Sequence, residues 1–247
     1  AQRQGDLQTA RSSFEAALLV DPDHPKSLEA LGHLFVNSKD YDAARKIFEA
    51  VVTDRASNWE SALLNVAAIE MTEGKEELAV EHYRRLTKER PGDPRAFVEL
   101  AKLELRDRNA DAAIELAEIA RTVEPTFGLL YPILASGYYA KRDYVATADV
   151  AMLGLRLLGH HTGLVRMLVR SRWELGQREE AIRIMEIETT SFPEVFMLRV
   201  QFAALLRELG RYDEARVEID AASGLEPDSL PLLVETSKLE LELGNVN

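Results

Sequence analysis

Few side chains in this sequence could do chemistry, and they do not converge. Histidine occurs five times in 247 residues, and only His160 and His161 adjoin. Two rings on a turn, with no third donor nearby in sequence, fall short of the three or four ligands that a zinc-type site needs. Cysteine is absent, which removes thiolate sites, disulfides and cysteine nucleophiles. The carboxylate pairs Glu76-Glu77 and Glu179-Glu180 stand at helix starts, where the positive end of the helix dipole stabilises them without any catalytic role. No glycine-rich phosphate loop, His-Glu-x-x-His or Gly-x-Ser-x-Gly occurs. The expectation is a chain with no metal, no cofactor and no enzymatic activity of its own. What remains is recognition chemistry. Arg95, Lys102, Arg106, Arg166 and Arg170 can pair with carboxylates, and arginine does so through two parallel hydrogen bonds. Tyr138-Tyr139 and Trp173 offer aromatic surface, although rings at helical spacing belong more often to a core.

The bulk composition fits a folded binding protein. Hydrophobic residues make up 46% and charged residues 29%, too apolar for a solvated tail. The longest uncharged run, 125–140, is broken by Pro132 and is shorter than a membrane span, and no basic-then-apolar leader opens the sequence; insertion into a membrane is not expected. Acids outnumber bases 42 to 30, a net charge of −12 that repels nucleic acid. The 22 arginines against 8 lysines point to a bacterial source, with cytoplasm and periplasm both open.

The elements that must position these groups are announced by a repeat. Pro91, Pro125, Pro193 and Pro227 fall at 34 residues or a multiple, and Gly159 occupies the missing place. Ala79, Ala113, Thr147, Ala181 and Ala215 keep the same step, as do Ala10 and Ala44. Gly74, Gly176, Gly210 and Gly244 share the period, and Gly5 joins them once a spare residue near Ser57-Asn58-Trp59 is placed in a loop. Apolar residues recur at three and four positions within each period, so each unit reads as two short helices joined by a turn such as Glu73-Gly74-Lys75 or Leu209-Gly210-Arg211. Small residues in first helices (Gly32, Ala67, Ala101, Ala135, Ala203) face small residues in second helices (Ala44, Ala79, Ala113, Ala215), allowing close approach. Phe14, Phe48, Tyr83 and Met185 then reach the next unit and tie neighbours together by burial.

These residues resemble the tetratricopeptide repeat family. The signature of small, aromatic, small and proline positions is met by Ala10, Phe14, Ala17 and Pro22, and with a larger third member by Ala79, Tyr83, Leu86 and Pro91. The early tryptophan of the family is replaced by Leu28, Leu63, Phe97, Tyr131, Val165 and Arg199, and its tyrosine by Glu70, Glu104 or Arg172. The resemblance implies an all-α, right-handed solenoid of helix hairpins in a single array over 1–247: six full units near 25–59, 60–93, 94–127, 128–161, 162–195 and 196–229, with half units 1–24 and 230–247. The fourth unit is the least regular, with Pro132 in its first helix, Thr147, Gly154 and the turn Gly159-His160-His161; a local bend is expected there. Leu7, Phe14 and Leu18 at one end, and Leu233, Leu239 and Leu243 at the other, lack covering neighbours. An excerpt of a longer array is expected, prone to end-to-end self-association.

The resemblance also implies that one stripe of each first helix lines a concave groove. Its charged members are Lys26, Arg95, Lys102, Arg106, Arg166, Arg170 and Arg207 against Glu29, Glu174 and Glu208, an excess of four positive charges beside −16 for the rest of the chain. The expected ligand is therefore a protein or peptide segment, acidic or ending in a free carboxylate, with an anionic polysaccharide as a second polyanion the charge would admit. The sharpest patch comprises Arg95, Lys102, Arg106, Tyr139, Arg166, Arg170 and Trp173, shouldered by Leu64 and Met71. Asn65 and Arg95 could contribute to a clamp on a terminal carboxylate, but Glu29 stands where that clamp wants a lysine. The resulting expectation is a non-catalytic scaffold, or alternatively the targeting arm of a larger bacterial envelope machine or glycosyltransferase whose active part lies outside this chain.

Overall fold

The computed structural model describes residues 2–53 and 58–244, with side chains from residue 8 onward. Among the described residues there are fourteen α-helices and no strand: α1 (Gln2–Val20), α2 (Pro25–Asn37), α3 (Tyr41–Thr53), α4 (Trp59–Thr72), α5 (Glu76–Glu89), α6 (Pro94–Arg106), α7 (Ala110–Val123), α8 (Leu130–Ala140), α9 (Tyr144–Leu158), α10 (Thr162–Glu174), α11 (Arg178–Ser191), α12 (Phe196–Glu208), α13 (Tyr212–Ser223) and α14 (Leu230–Glu242). They form two compact units, Ala1–Phe127 and Gly128–Asn247, each a solenoid-like stack of helix hairpins. The first helices begin at Pro25, Trp59, Pro94, Leu130, Thr162 and Phe196, within two residues of the boundaries read from the period.

Inside each hairpin the small residues do what the spacing predicts. Ala44, Ala79, Ala113, Thr147, Ala181 and Ala215 are all wholly buried, as are Ala67, Ala101, Ala135 and Ala203 across from them. Thr147 fits an alanine column because its hydroxyl donates to the Asp143 carbonyl at 2.7 Å, so burial leaves no polar atom unpaired. One turn on, Phe48, Tyr83 and Met185 are buried and bind neighbouring hairpins. In the second unit a continuous core runs from Val165 in α10 through Met185, Phe196 and Leu206 to Leu239 in α14. Gly154 belongs to a close crossing: a Cβ there would sit 2.6 Å from Leu164 Cδ1 and 2.7 Å from Tyr131 Cβ. Its irregularity is thus a packing requirement at the crossing of α9 with α8 and α10.

The turns between paired helices reuse one left-handed residue. It is Gly74, Gly176, Gly210 and Gly244, as the spacing predicts, but Lys39, Arg108 and Arg142 adopt it in the other units with φ of 63°, 64° and 60°. Helix starts are capped where the sequence allows. Asp93 accepts from Arg95 N, Asp143 from Ala146 N, and His161 Nδ1 from Leu164 N at 3.2 Å. Pro132 is the third residue of α8, in the first turn where a missing amide hydrogen leaves no intrahelical bond unmade.

Three expectations need correction or restriction. Gly5 lies inside the continuous helix α1 and makes no turn; an interior glycine costs a helix about 1 kcal/mol and does not forbid it. Leu239 is 1% exposed and part of the core, whereas Leu233 and Leu243 are exposed. Of the spare-residue loop, Asn58 and Trp59 are described, the former donating to the Pro25 carbonyl at 3.3 Å, while Ser57 and the side chain of Leu7 lie outside the described residues.

Candidate functional site

The cations singled out by sequence are treated very differently in the two units. In the first, Arg95, Lys102 and Arg106 are engaged by neighbouring acids, while Lys26 is exposed and has no acidic partner among the described residues. Arg95 wraps Asp93 with Nε at 3.0 Å from both carboxylate oxygens and Nη2 at 2.6 Å, and donates to Ser61 Oγ at 2.9 Å. Burial pushes the Asp93 carboxyl up, but the side-chain and backbone hydrogen bonds from Arg95 prevail and hold it below its ordinary value. Lys102 meets Glu99 at 2.6 Å. Arg106 bridges Glu76 at 2.5 Å and Asp107 at 3.2 Å, and the hydrogen bond it donates to Glu76 holds its guanidinium above its usual range. Asn65 Nδ2 donates to the Ser61 carbonyl of its own helix at 3.0 Å. A pocket of about 310 Å³ does open here, lined by Ala68, Met71, Tyr83, Glu99, Lys102, Leu103 and Arg106. Leu64 packs half-buried against two of the unit's core clusters beside it.

The second unit contains a larger pocket, about 420 Å³, lined by Tyr139, Arg166, Met167, Val169, Arg170, Gln201, Ala204, Leu205 and Glu208. Its floor is aliphatic. Its edge carries Arg170, which pairs with Glu174 at 2.9 Å and lies 3.8 Å from Glu208. Arg166 is exposed and has no acidic partner among the described residues. Tyr139 makes an edge-to-face contact with Tyr144, ring centroids 5.8 Å apart, which fixes the ring and leaves its hydroxyl without a hydrogen bond among the described residues.

The structure therefore brings Tyr139, Arg166 and Arg170 together, and separately Met71, Lys102 and Arg106. It does not bring Trp173 to the groove. Trp173 is 8% exposed and packs in the core of the second unit, with Arg178 5.4 Å over its ring. Val98 on α6 and Val200 on α12 are also buried. Sequence reasoning missed Met167, Val169, Gln201 and Leu205. On α12 Glu208, which stands on the expected stripe, lines the pocket, but so do Gln201 and Leu205, while Val200 is buried and Arg207 turns to α14. Arg207, counted as a free groove cation, is 11% exposed and locked to Glu235 and Glu242 of α14, each at 2.5 Å.

The histidine pair has structural work in the second unit. His160 Nδ1 meets Glu188 at 2.9 Å, Nε2 meets Thr162 Oγ1 at 3.2 Å, and the ring lies 3.8 Å from that of Phe192. Among the described residues no group of three His, Asp or Glu side chains could hold a metal, and no helix is long and apolar enough to cross a membrane.

Comparison with known proteins places this arrangement. Over 96% of its length the chain matches a structure described as the anaphase-promoting complex hetero-tetramer Cut9–Hcn1, with 14% identity and a TM-score of 0.70, spanning 46% of that chain. Pseudomonas aeruginosa PilF matches at 14% identity and a TM-score of 0.68, over 94% of this chain and 99% of that one. YrrB, described as a repeat protein with an unusual peptide-binding site, matches at 19% identity and a TM-score of 0.55, over 67% and 86%. At these identities the likeness is one of fold. No curated protein sequence matches. The sequence profile described as the tetratricopeptide repeat matches residues 1–58, 69–124 and 166–229, more than half of the chain. With its paired helices, its 34-residue clock and that match, the chain belongs to the tetratricopeptide repeat family, whose arrays serve generally as protein–protein interaction scaffolds.

Proposed function

We propose that this chain is a non-catalytic scaffold that holds a protein or peptide segment against its first helices, with the pocket between α10 and α12 as the principal contact. One observation carries the reading: in that pocket an arginine and a tyrosine hydroxyl that have no partner among the described residues border an aliphatic floor. Docking on such a surface takes apolar area out of water and lets side chains now turned to solvent pair with the ligand instead. The groove is built on helices whose backbones are already ordered, so little of the entropy cost of binding falls on the scaffold. An anionic polysaccharide would satisfy Arg166 but offers no apolar side chain for Met167, Val169 and Leu205, which favours a peptide. If the chain is instead an arm of a larger assembly, the same face does the docking.

The test is positional. A peptide display library panned on the intact chain supplies binders, and a photo-reactive residue is then placed either at Ala204, in the pocket, or at Arg183, exposed on α11. Capture from Ala204 and none from Arg183 is expected. Capture from Arg183 alone would move the docking face to the second helices and overturn the assignment.

A further inference from the structure

Three hydrogen-bonding groups around the second-unit pocket have no partner among the described residues: the Tyr139 hydroxyl, the Arg166 guanidinium and the Gln201 amide. They come from α8, α10 and α12, three successive first helices. Packed helices lie about 8–10 Å apart, so the backbones carrying these groups spread over roughly 16–20 Å. One carboxylate cannot meet all three. An extended chain covers that span with about five or six residues at roughly 3.3 Å each. Alternate side chains of an extended segment share one face, so residues two apart point into the same groove.

Charge then fixes what those two residues are. Glu208 closes one side of the pocket and lies within 3.8 Å of Arg170, which is already paired with Glu174. A ligand carboxylate is repelled from that side and drawn to Arg166, a lining cation with no acidic partner among the described residues. Between these poles lie Met167, Val169, Ala204 and Leu205 around a space of about 420 Å³, which takes a large apolar side chain. Resting on the docking reading above, we infer that this pocket recognises an extended internal peptide bearing a large apolar residue with an acidic side chain two positions away, the first on the aliphatic floor and the second on Arg166.

The experiment uses the whole 247-residue chain and fluorescein-labelled six-residue peptides, acetylated and amidated so that neither end is charged. The probes carry Leu-x-Glu or Glu-x-Leu at their centre, with Leu-x-Gln and Ala-x-Glu as controls and an uncapped form of each; binding is read by fluorescence anisotropy. A capped acidic peptide should bind on the order of tenfold tighter than its glutamine and alanine controls, and Arg166→Gln should remove that margin. Arg166 is exposed, so this variant retains the fold; Ala204→Trp, which fills the space, is the second variant and should weaken every probe. Lys102→Gln, in the other unit, should change nothing. Equal binding of the glutamine control, insensitivity to Arg166→Gln, binding of uncapped peptides only, or no peptide binding at all would each overturn the inference. The docking face fails separately: binders captured from Ala204 but lacking an acid sink only the motif, whereas binders captured from Arg183 sink both.

Discussion

The two pockets stand on the same kind of helix, in the same repeat, and differ in who answers their charges. In the first unit Lys102 and Arg106 meet Glu99, Glu76 and Asp107, so the pocket is electrostatically closed on itself. In the second, Arg166 borders an aliphatic hollow and has no acidic partner among the described residues. The contrast teaches that a cation on a groove-facing stripe is a ligand-binding group only if the neighbouring turns and helices have not already neutralised it. Charge in the first unit should therefore matter to stability, and charge at the second pocket to binding.

The largest effect should come from the second unit's exception. Arg207 and Glu235 form a pair with side chains 11% and 5% exposed, so Arg207→Ala would leave Glu235 with only Lys238 at 3.6 Å and should cost up to about 3–5 kcal/mol in urea unfolding. A loss near zero would mean that α14 docks without this pair. Next, Ala113→Leu in the first unit overfills a wholly buried helix crossing and should cost about 1–3 kcal/mol; a neutral result would contradict the packing phase on which both pockets depend.

Asp93→Ala should cost about 1–2 kcal/mol through loss of the α6 cap, with no change in peptide binding at the second pocket. Its pH dependence has a definite sign. The folded carboxyl lies below its ordinary value of 3.8, so its contribution is present above that value and is lost as pH falls through the lower folded one. Wild-type and Asp93→Ala stabilities should therefore converge below about pH 4, and divergence on acidification would refute the Arg95 contact. The smallest effect tests what the units share. Arg108→Gly and Arg142→Gly relieve a left-handed backbone in one unit each and should both raise stability by about 1 kcal/mol.

Much of the fold was legible because its cause is local and periodic. The column from Ala44 to Ala215 is visible in the sequence and buried in the structure for one reason, the close crossing of two helices in every hairpin. The left-handed turn was legible only where glycine marks it, since Lys39, Arg108 and Arg142 carry no sign of the backbone they adopt. The site was legible in part. Arg166, Arg170, Tyr139 and Glu208 stand on the expected stripe and line the pocket, but Gln201 and Leu205 line it too, and Arg207 of the same helix turns to α14 instead. Trp173 shares its repeat position with Tyr139, yet its larger ring is buried in the core. Charge was the least legible property, because summing one stripe omits acids such as Glu76, thirty residues before the Arg106 it neutralises.

Gly159 has φ 69° and ψ −138°, and nothing lies within 4 Å of where a Cβ would be. Side chains of L-residues are all but barred from that combination, however empty the space around it. A saturation scan read out by protein abundance should thus show an intolerant column at a site that contact-based scoring passes as neutral, with every replacement failing alike regardless of size or polarity.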